Sequence, residues 1–271
     1  MQDIWVPVSG AIAQQRNVET IANNVANAKT PGFKKDRLAF KEYLSAFEKG
    51  VHDIDLPKKE WSPEDFYHSY GAEHGHVKVD GTYTMHRQGQ LTPTGNPLDL
   101  AMTGPGFFEV WTPGGVRYTR RGLFSVSSSG QLITDRGDFV LSKGREAPQS
   151  RIIKLNSGKI KLNSGRLTIN AGGDIFINGN KKNTISIVEF NDVHTLKKEG
   201  DSNFINTIEN NLKANPLRSR IQQGFIEESN VNAISEMSNL IKANRHFESI
   251  QKVIKAYDNI TGKSINEIAK F

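Results

Sequence analysis

The sequence predicts an α+β protein: a β-rich central domain flanked by N- and C-terminal α-helices that pair as a coiled-coil-like stem. Three observations carry this reading. Eighteen of the 24 glycines fall between Gly71 and Gly179, where strands joined by tight turns need them. From Leu217 to Phe271 there are only Gly224 and Gly262 and no proline, as in a long helix, whose interior avoids both residues. At each end of the chain apolar residues recur in a 4-3 rhythm, which gathers them on one helix face. The expected layout is a first stem helix in residues 1–35, a linker without assigned elements at 36–77, the β-rich domain at 78–216 and the second stem helix at 217–271.

The first helix is expected over about Ile4 to Ala28. Ile4, Val8, Ala11, Val18, Ala22 and Val25 form its stripe, with Gln15 in the missing position. Pro7 falls in the first turn, where its missing N–H is harmless, and Pro31-Gly32 ends the helix. In the middle, short apolar runs alternate with turn signals. Candidate strands are Phe107–Trp111, Val116–Thr119, Leu123–Ser127, Gln131–Thr134 and Phe139–Leu141, joined through Pro113-Gly114-Gly115, Ser129-Gly130 and Arg136-Gly137. A second group follows at Ile152–Leu155, Lys159–Leu162, Leu167–Asn170, Ile175–Ile177 and Ile185–Phe190. Leu155-Asn156-Ser157-Gly158 recurs as Leu162-Asn163-Ser164-Gly165, which reads as successive hairpin turns rather than a solenoid. The last helix is expected over roughly Ser229 to Ala269. Leu240, Phe247, Ile254, Thr261 and Ile268 lie seven apart, and Ala243, Ile250, Tyr257 and Ser264 complete an a/d-like seam.

Composition excludes several classes of function. No apolar run exceeds three residues, so no membrane-inserted helix is expected. The first basic residue is Arg16 and no apolar h-region follows it, so no cleavable secretory leader is expected. With no cysteine, disulfides, thiolate metal sites and a cysteine nucleophile are excluded. The net charge of +6 is spread over scattered dibasic pairs (Lys34-Lys35, Lys58-Lys59, Arg120-Arg121, Lys181-Lys182, Lys197-Lys198) with acids between them. A nucleic-acid binder concentrates such charge in a stripe, so these pairs read as a solvated mixed surface and no nucleic-acid partner is expected.

Enzymatic sites are equally sparse. His74-Gly75-His76 has strand spacing that suits two imidazoles on one face, with His68, His86 and Asp80 nearby. A metal-dependent enzyme using His68, His74 and His76 is therefore an alternative reading, set against solvated surface histidines. An extracellular binding or adhesive protein is another. Thr103-Gly104-Pro105-Gly106 lacks the helix that would hold a phosphate, no G-x-S-x-G elbow is present, and no pair of carboxylates is singled out. No catalytic residue, metal ligand or cofactor is expected.

The terminal helices need partners. The one Ile and three Val of the first stripe bury too little apolar surface to offset the ordering of some 25 backbones, so this helix is expected to be poorly ordered alone. Asn17, Asn23, Asn24 and Asn27 are poor core residues but good register-setting contacts. The last helix is the natural partner, and neighbouring copies are expected to bury the remaining faces. The isolated chain is expected to be ordered from about Lys78 to Asn215 and mobile at both ends.

Four segments carry a resemblance. Ala22-Asn23-Asn24-Val25-Ala26-Asn27-Ala28-Lys29-Thr30-Pro31-Gly32-Phe33-Lys34 resembles the N-terminal signature of the bacterial flagellar rod and hook protein family. Thr94-Gly95-Asn96-Pro97-Leu98-Asp99-Leu100-Ala101-Met102 with Gly104-Pro105-Gly106-Phe107-Phe108, and Tyr118-Thr119-Arg120-Arg121-Gly122-Leu123-Phe124, are similar to its first β-domain segment and next hairpin. Glu228-Ser229-Asn230-Val231-Asn232, Glu236-Met237, Leu240-Ile241 and Arg245-His246-Phe247-Glu248 are similar to its C-terminal helix. Lys29-Thr30-Pro31 departs from the pattern, and Leu44 to Gly75 matches none of it. A hook protein's extra outer domain would not fit in 271 residues, so the match is to the rod proteins, with a leaning to the proximal over the distal type. The resemblance implies a structural rod subunit of the basal body, transmitting torque from motor to hook. It implies self-assembly as a homo-oligomer, contacts with other rod and hook proteins, and export through the flagellar type III apparatus. The candidate subunit contacts are Asn23, Asn24, Val25, Asn27, Gly32, Phe33, Asn230, Val231, Met237, Leu240, Phe247, Ile250 and Ile254.

Overall fold

The structure, a computed structural model, describes residues 5–46, 73–144, 146–155, 167–213 and 218–268. Helix α1 (Trp5–Ala26) is followed by strands β1 (Asp36–Ala46), β2 (Glu73–Thr84), β3 (Leu91–Pro93), β4 (Leu100–Thr103), β5 (Phe107–Thr112) and β6 (Gly115–Thr119). The chain continues through β7 (Phe124–Val126), β8 (Leu132–Thr134), β9 (Phe139–Val140), β10 (Leu167–Ile169), β11 (Asp174–Ile177), β12 (Asn180–Thr184) and β13 (Ile187–Val188). Then come β14 (Lys197–Lys198), β15 (Asn203–Ile205), β16 (Arg220–Gln223), β17 (Phe225–Glu227) and helix α2 (Ala233–Ile268). Helices flanking a β-rich middle make this an α+β fold. The chain forms two compact units: one of Met1–Asn23, Arg37–Tyr83 and Ile234–Phe271, the other of Asn24–Asp36 and Thr84–Ala233.

In the second unit, an eight-stranded sheet has the order β14-β15-β6-β5-β9-β8-β7, with β13 also paired to β5. Successive residues of a strand point to opposite faces, and β5 uses this fully. Phe108 enters a large aliphatic core with Leu100, Met102, Phe124, Leu132, Ile153 and Ile175. Phe107 enters a smaller aromatic core with Tyr118, Phe190, Leu196 and Phe204, its ring edge-on to Phe190 (5.5 Å) and Phe204 (5.6 Å). Strands β10, β11 and β12 form a separate antiparallel sheet. Two short ladders tie distant sequence together: β16 on β4 (Ile221 opposite Met102) and β17 on β3 (Glu227 opposite Leu91). Gly122 makes the crossing near β4 possible. Its carbonyl accepts from Leu100 N (2.9 Å), and a Cβ there would stand 1.6 Å from the Leu100 carbonyl oxygen.

The sequence reading is altered in several places. The segment given no element carries β1 and the start of β2, which pair with each other. Residues 220–223 and 225–227, assigned to the second stem helix at 217–271, instead form the strands β16 and β17. Among the described residues, Ile152–Leu155 makes isolated bridges, to Leu141 and Gln131, rather than a strand. The candidate strand Lys159–Leu162 and most of the repeated Leu-Asn-Ser-Gly motif lie outside the described residues.

In the first unit, Gln14 Nε2 donates to Ala243 O on α2 (3.0 Å), and a Cβ on Gly10 would lie 4.0 Å from Ile250 Cδ1. Among the residues of α1 whose burial is described, Ala13 and Asn24 are the buried ones, so the covered stripe is rotated from the expected one. Gln15, expected within it, is exposed and donates to Glu19 Oε1 (3.1 Å). The cause is compositional: Val6, Gly10 and Ala13 offer as good a packing face as Val8, Ala11 and Ala22, and periodicity alone does not choose between them. On α2 the expected seam matches the covered face. Ala243 is buried and Leu240, Phe247, Ile250 and Ile254 are partly buried, whereas Tyr257 and Thr261 are exposed. At about 1.5 Å per residue, the 36 residues of α2 extend over about 54 Å.

Candidate assembly site

The joint after α1, residues 27–36, is built from the segment that carries the N-terminal resemblance. Asn27 accepts from Thr30 through both its carbonyl (from N, 3.1 Å) and its side chain (from Oγ1, 3.1 Å), and Val25 O accepts from Ala28 N (3.1 Å). Gly32 then turns the chain at φ +71°, a left-handed conformation suited to glycine. A Cβ there would stand 2.5 Å from Arg121 N. Its own N–H donates to Glu227 O (2.7 Å).

Two asparagines hold the joint. Asn24, 1% exposed, donates to Asp36 O (2.8 Å) and accepts from Asp36 N (3.0 Å). Asn230 accepts from Lys35 N (2.7 Å) and donates to Met85 O (2.7 Å) and Arg87 O (2.9 Å). Phe33 is buried under Lys198 Nζ, which lies 3.6 Å from the ring centroid. That ammonium also donates to Lys34 O and Asp36 Oδ2 (2.7 Å each). Val231 is buried beside Ser229, whose hydroxyl accepts from Val231 N (3.2 Å). Thus Asn24, Gly32, Phe33, Asn230 and Val231 have partners within the chain. Asn23 is exposed, Val25 and Asn27 are partly buried, and Met237 is exposed on α2.

Beneath the joint lies a charge cluster with no sequence signal of its own. Glu227 is fully buried and accepts from Lys34 Nζ (2.6 Å), Gly89 N (2.9 Å) and Arg120 Nη1 (3.2 Å). Lys34 also donates to Arg87 O (2.8 Å), and Arg120 to Gly104 O (2.6 Å). Burial holds the Lys34 ammonium below its usual range against the attraction of Glu227, and Arg120 is lowered by the same cause. Two of the dibasic pairs expected at a solvated surface therefore each send one member inside.

His86 departs from the solvated-histidine expectation. Its ring packs against Phe107 (5.8 Å) and Phe204 (5.2 Å), with the His194 ring at 6.4 Å. Neither ring nitrogen has a hydrogen-bond partner among the described residues. Burial, followed by Lys34, His194, Arg120 and Lys198, pushes its pKa down to about 4. His68 lies outside the described residues, as do the side chains of His74 and His76, whose backbone runs in β2. No group of three or more metal-ligating side chains converges among the described residues, and no described helix is long and apolar enough to cross a membrane.

Comparison with known proteins accounts for these segments. Three family profiles match in chain order: "Flagella basal body rod protein" over residues 5–34, "Flagellar hook protein FlgE/F/G D1 domain" over 101–177, and "Flagellar basal body rod FlgEFG protein C-terminal" over 222–267. The chain is 31% identical over 273 residues to the flagellar basal-body rod protein FlgG of Caulobacter vibrioides, covering 96% of this chain and 97% of that protein. It is 30% identical to FlgG of Borreliella burgdorferi over 278 residues, covering 98% of each. It is 29% identical to FlgF of Caulobacter vibrioides over 270 residues, again covering 98% of each. Matched at both helices and through the sheet between them, this chain belongs to the flagellar basal-body rod protein family, a family of structural subunits rather than enzymes.

Proposed function

We propose that this chain is a self-assembling subunit of the flagellar rod, the basal-body shaft that carries motor torque to the hook. The observation behind the reading is the outer surface of α2. Ile234, Met237 and Ile241 share one face, and Val253, Tyr257 and Ile260 share another. All six are exposed, Ile234 to 79%, although the seam of Leu240, Phe247, Ile250 and Ile254 is already partly covered. Ile12 on α1 is likewise 58% exposed. A 36-residue helix with apolar side chains outside its own seam suits packing against a second copy of itself, with α1 and α2 pairing as a coiled-coil-like stem.

In this reading Met237 contacts neighbouring subunits together with Ile234 and Ile241, and Leu240, Phe247, Ile250 and Ile254, partly covered within the chain, add their remaining exposed surface to the same contact. Asn24, Gly32, Phe33, Asn230 and Val231 act within the subunit by fixing the joint, while Asn23, Val25 and Asn27 lie beside it at the rim of the contact. Load spread along interdigitated helices gives stiffness without relying on one interface. Related rod and hook proteins are further partners. Export through the flagellar type III apparatus fits terminal helices that are marginal alone and order on arrival.

Met237→Glu combined with Ile241→Glu tests the assembly surface in the full chain. Sedimentation is expected to show wild-type oligomers growing with concentration and a monomeric variant, and a strain carrying the variant is expected to be non-motile. Motility with intact rods would overturn the reading. Electron microscopy of basal bodies from a deletion strain places the subunit by where the axial structure stops. Retention of the protein inside cells lacking the export gate tests its route.

A further inference from the structure

The segment Met85–Arg87 both grips the joint and buries His86. Met85 N donates to Lys35 O (2.8 Å). Arg87 O accepts from Lys34 Nζ, and Asn230 Nδ2 reaches the carbonyls of both Met85 and Arg87. Between these two anchors the His86 ring turns inward between Phe107 and Phe204, its two nitrogens without an acceptor or donor among the described residues. The charged groups acting on it are Lys34 from the joint, Arg120 after β6 and Lys198 on β14, with His194 from the loop before β14. Of the carboxylates near these cations, Glu227 is bonded to Lys34 and Arg120 and Asp36 to Lys198, while Glu189, which also attracts Arg120, accepts from Arg218 N and from the Ser219 amide and hydroxyl.

We propose that His86 is a proton-operated release for the joint: in mild acid its ring takes up a proton, Met85–Arg87 withdraws from the core, and residues 33–36 lose their grip. Among the described residues a proton there has nothing to donate to; it lies against aromatic edges and is repelled by three cations, two of which clasp the joint themselves. Lys34 Nζ holds Arg87 O, while Lys198 Nζ holds Lys34 O and Asp36. Moving the ring to water relieves the desolvation and the repulsion together.

The sign follows from burial. The folded-state pKa of about 4 lies below the ordinary 6.5, so the stabilisation is complete above about pH 6.5. It is lost as pH falls from 6.5 through 4, and over the whole titration, from well above 6.5 to well below 4, the opening equilibrium shifts about 300-fold.

The test follows the amides of Lys35, Asp36 and Met85 by hydrogen exchange in the full chain. Protection factors are compared at pH 7 and pH 5 for the wild type and for His86→Phe, which keeps an aromatic ring in the pocket. The wild type is expected to lose about 20-fold protection and His86→Phe to lose several-fold less. An equal loss in both would overturn the proposal. A second measurement does not depend on the variant folding: the NMR titration of the His86 ring in the folded wild type. A midpoint below about pH 5 supports the release, and one near the ordinary 6.5 would overturn it.

Discussion

Glu227→Gln is the substitution that most directly probes the charge cluster under the joint. The side chains of Lys34 and Glu227 are 0% exposed and that of Arg120 is 2% exposed, so the three formal charges sum to +1 out of contact with water. Removing the carboxylate leaves two neighbouring buried cations with only neutral acceptors. Breaking a buried pair in this way costs about 3–5 kcal/mol. Lys34→Met is expected to behave differently. It leaves Glu227 paired with Arg120 and bonded to Gly89 N, a neutral set, and it removes an ammonium whose burial already outweighs its attraction to Glu227. Its cost is the Arg87 carbonyl left without that donor, no more than about 1 kcal/mol. Urea unfolding of the full chain at pH 7 measures both, and the double variant Lys34→Met, Glu227→Gln is expected to recover part of the Glu227→Gln loss. If Glu227→Gln costs less than Lys34→Met, or the double variant is simply additive, the carboxylate is not the hub of this cluster.

Four further outcomes are expected. Gly122→Ala forces a Cβ to 1.6 Å from Leu100 O and should destabilise the chain by about 3 kcal/mol or more, seen as a lower urea midpoint. Asn24→Ala leaves the Asp36 N–H and C=O without their buried partner, costing about 2–4 kcal/mol, with lost exchange protection at the Asp36 amide as its signature. The Tyr118 hydroxyl, raised by burial first and then by Glu109 to a pKa of about 12, should remain un-ionised as ordinary tyrosines titrate near 10, which ultraviolet absorbance follows. In the dilute isolated chain, amides across Ile12–Val25 should exchange readily, and strong protection there would contradict a helix that is stabilised by assembly.

Both helices and the strands β5 to β9 are legible in the sequence because local signals specify them. Gly114-Gly115, Gly130 and Gly137 mark turns, and apolar spacing marks the α2 seam down to Leu240, Ala243 and Phe247. Strands β16 and β17 are not legible. Their partners β4 and β3 lie more than a hundred residues away, and Arg-Ile-Gln-Gln and Phe-Ile-Glu carry no alternation long enough to read. The α1 stripe is misplaced because small residues occur around much of the helix. The joint is legible as a motif but not as a mechanism. Lys34, Arg120 and Glu227 each look like surface residues, and only the tertiary fold brings an acid 193 residues from one cation and 107 from the other. His86 offered no signal, since a histidine between Met85 and Arg87 reads the same whether its ring faces solvent or Phe107.

The ladders of β3 with β17 and β4 with β16 close the second unit into a loop whose two open ends meet at one neck: Gly32 bonds Glu227, and Lys35 bonds Asn230. Tension applied to that unit through residues 24 and 233 passes through these few rungs and bypasses the hairpin tips near Gly114, Ser129 and Gly179. Those tips are accordingly free to accept inserted sequence, such as a label or an added module, without altering how the subunit bears strain. The neck tolerates no such insertion.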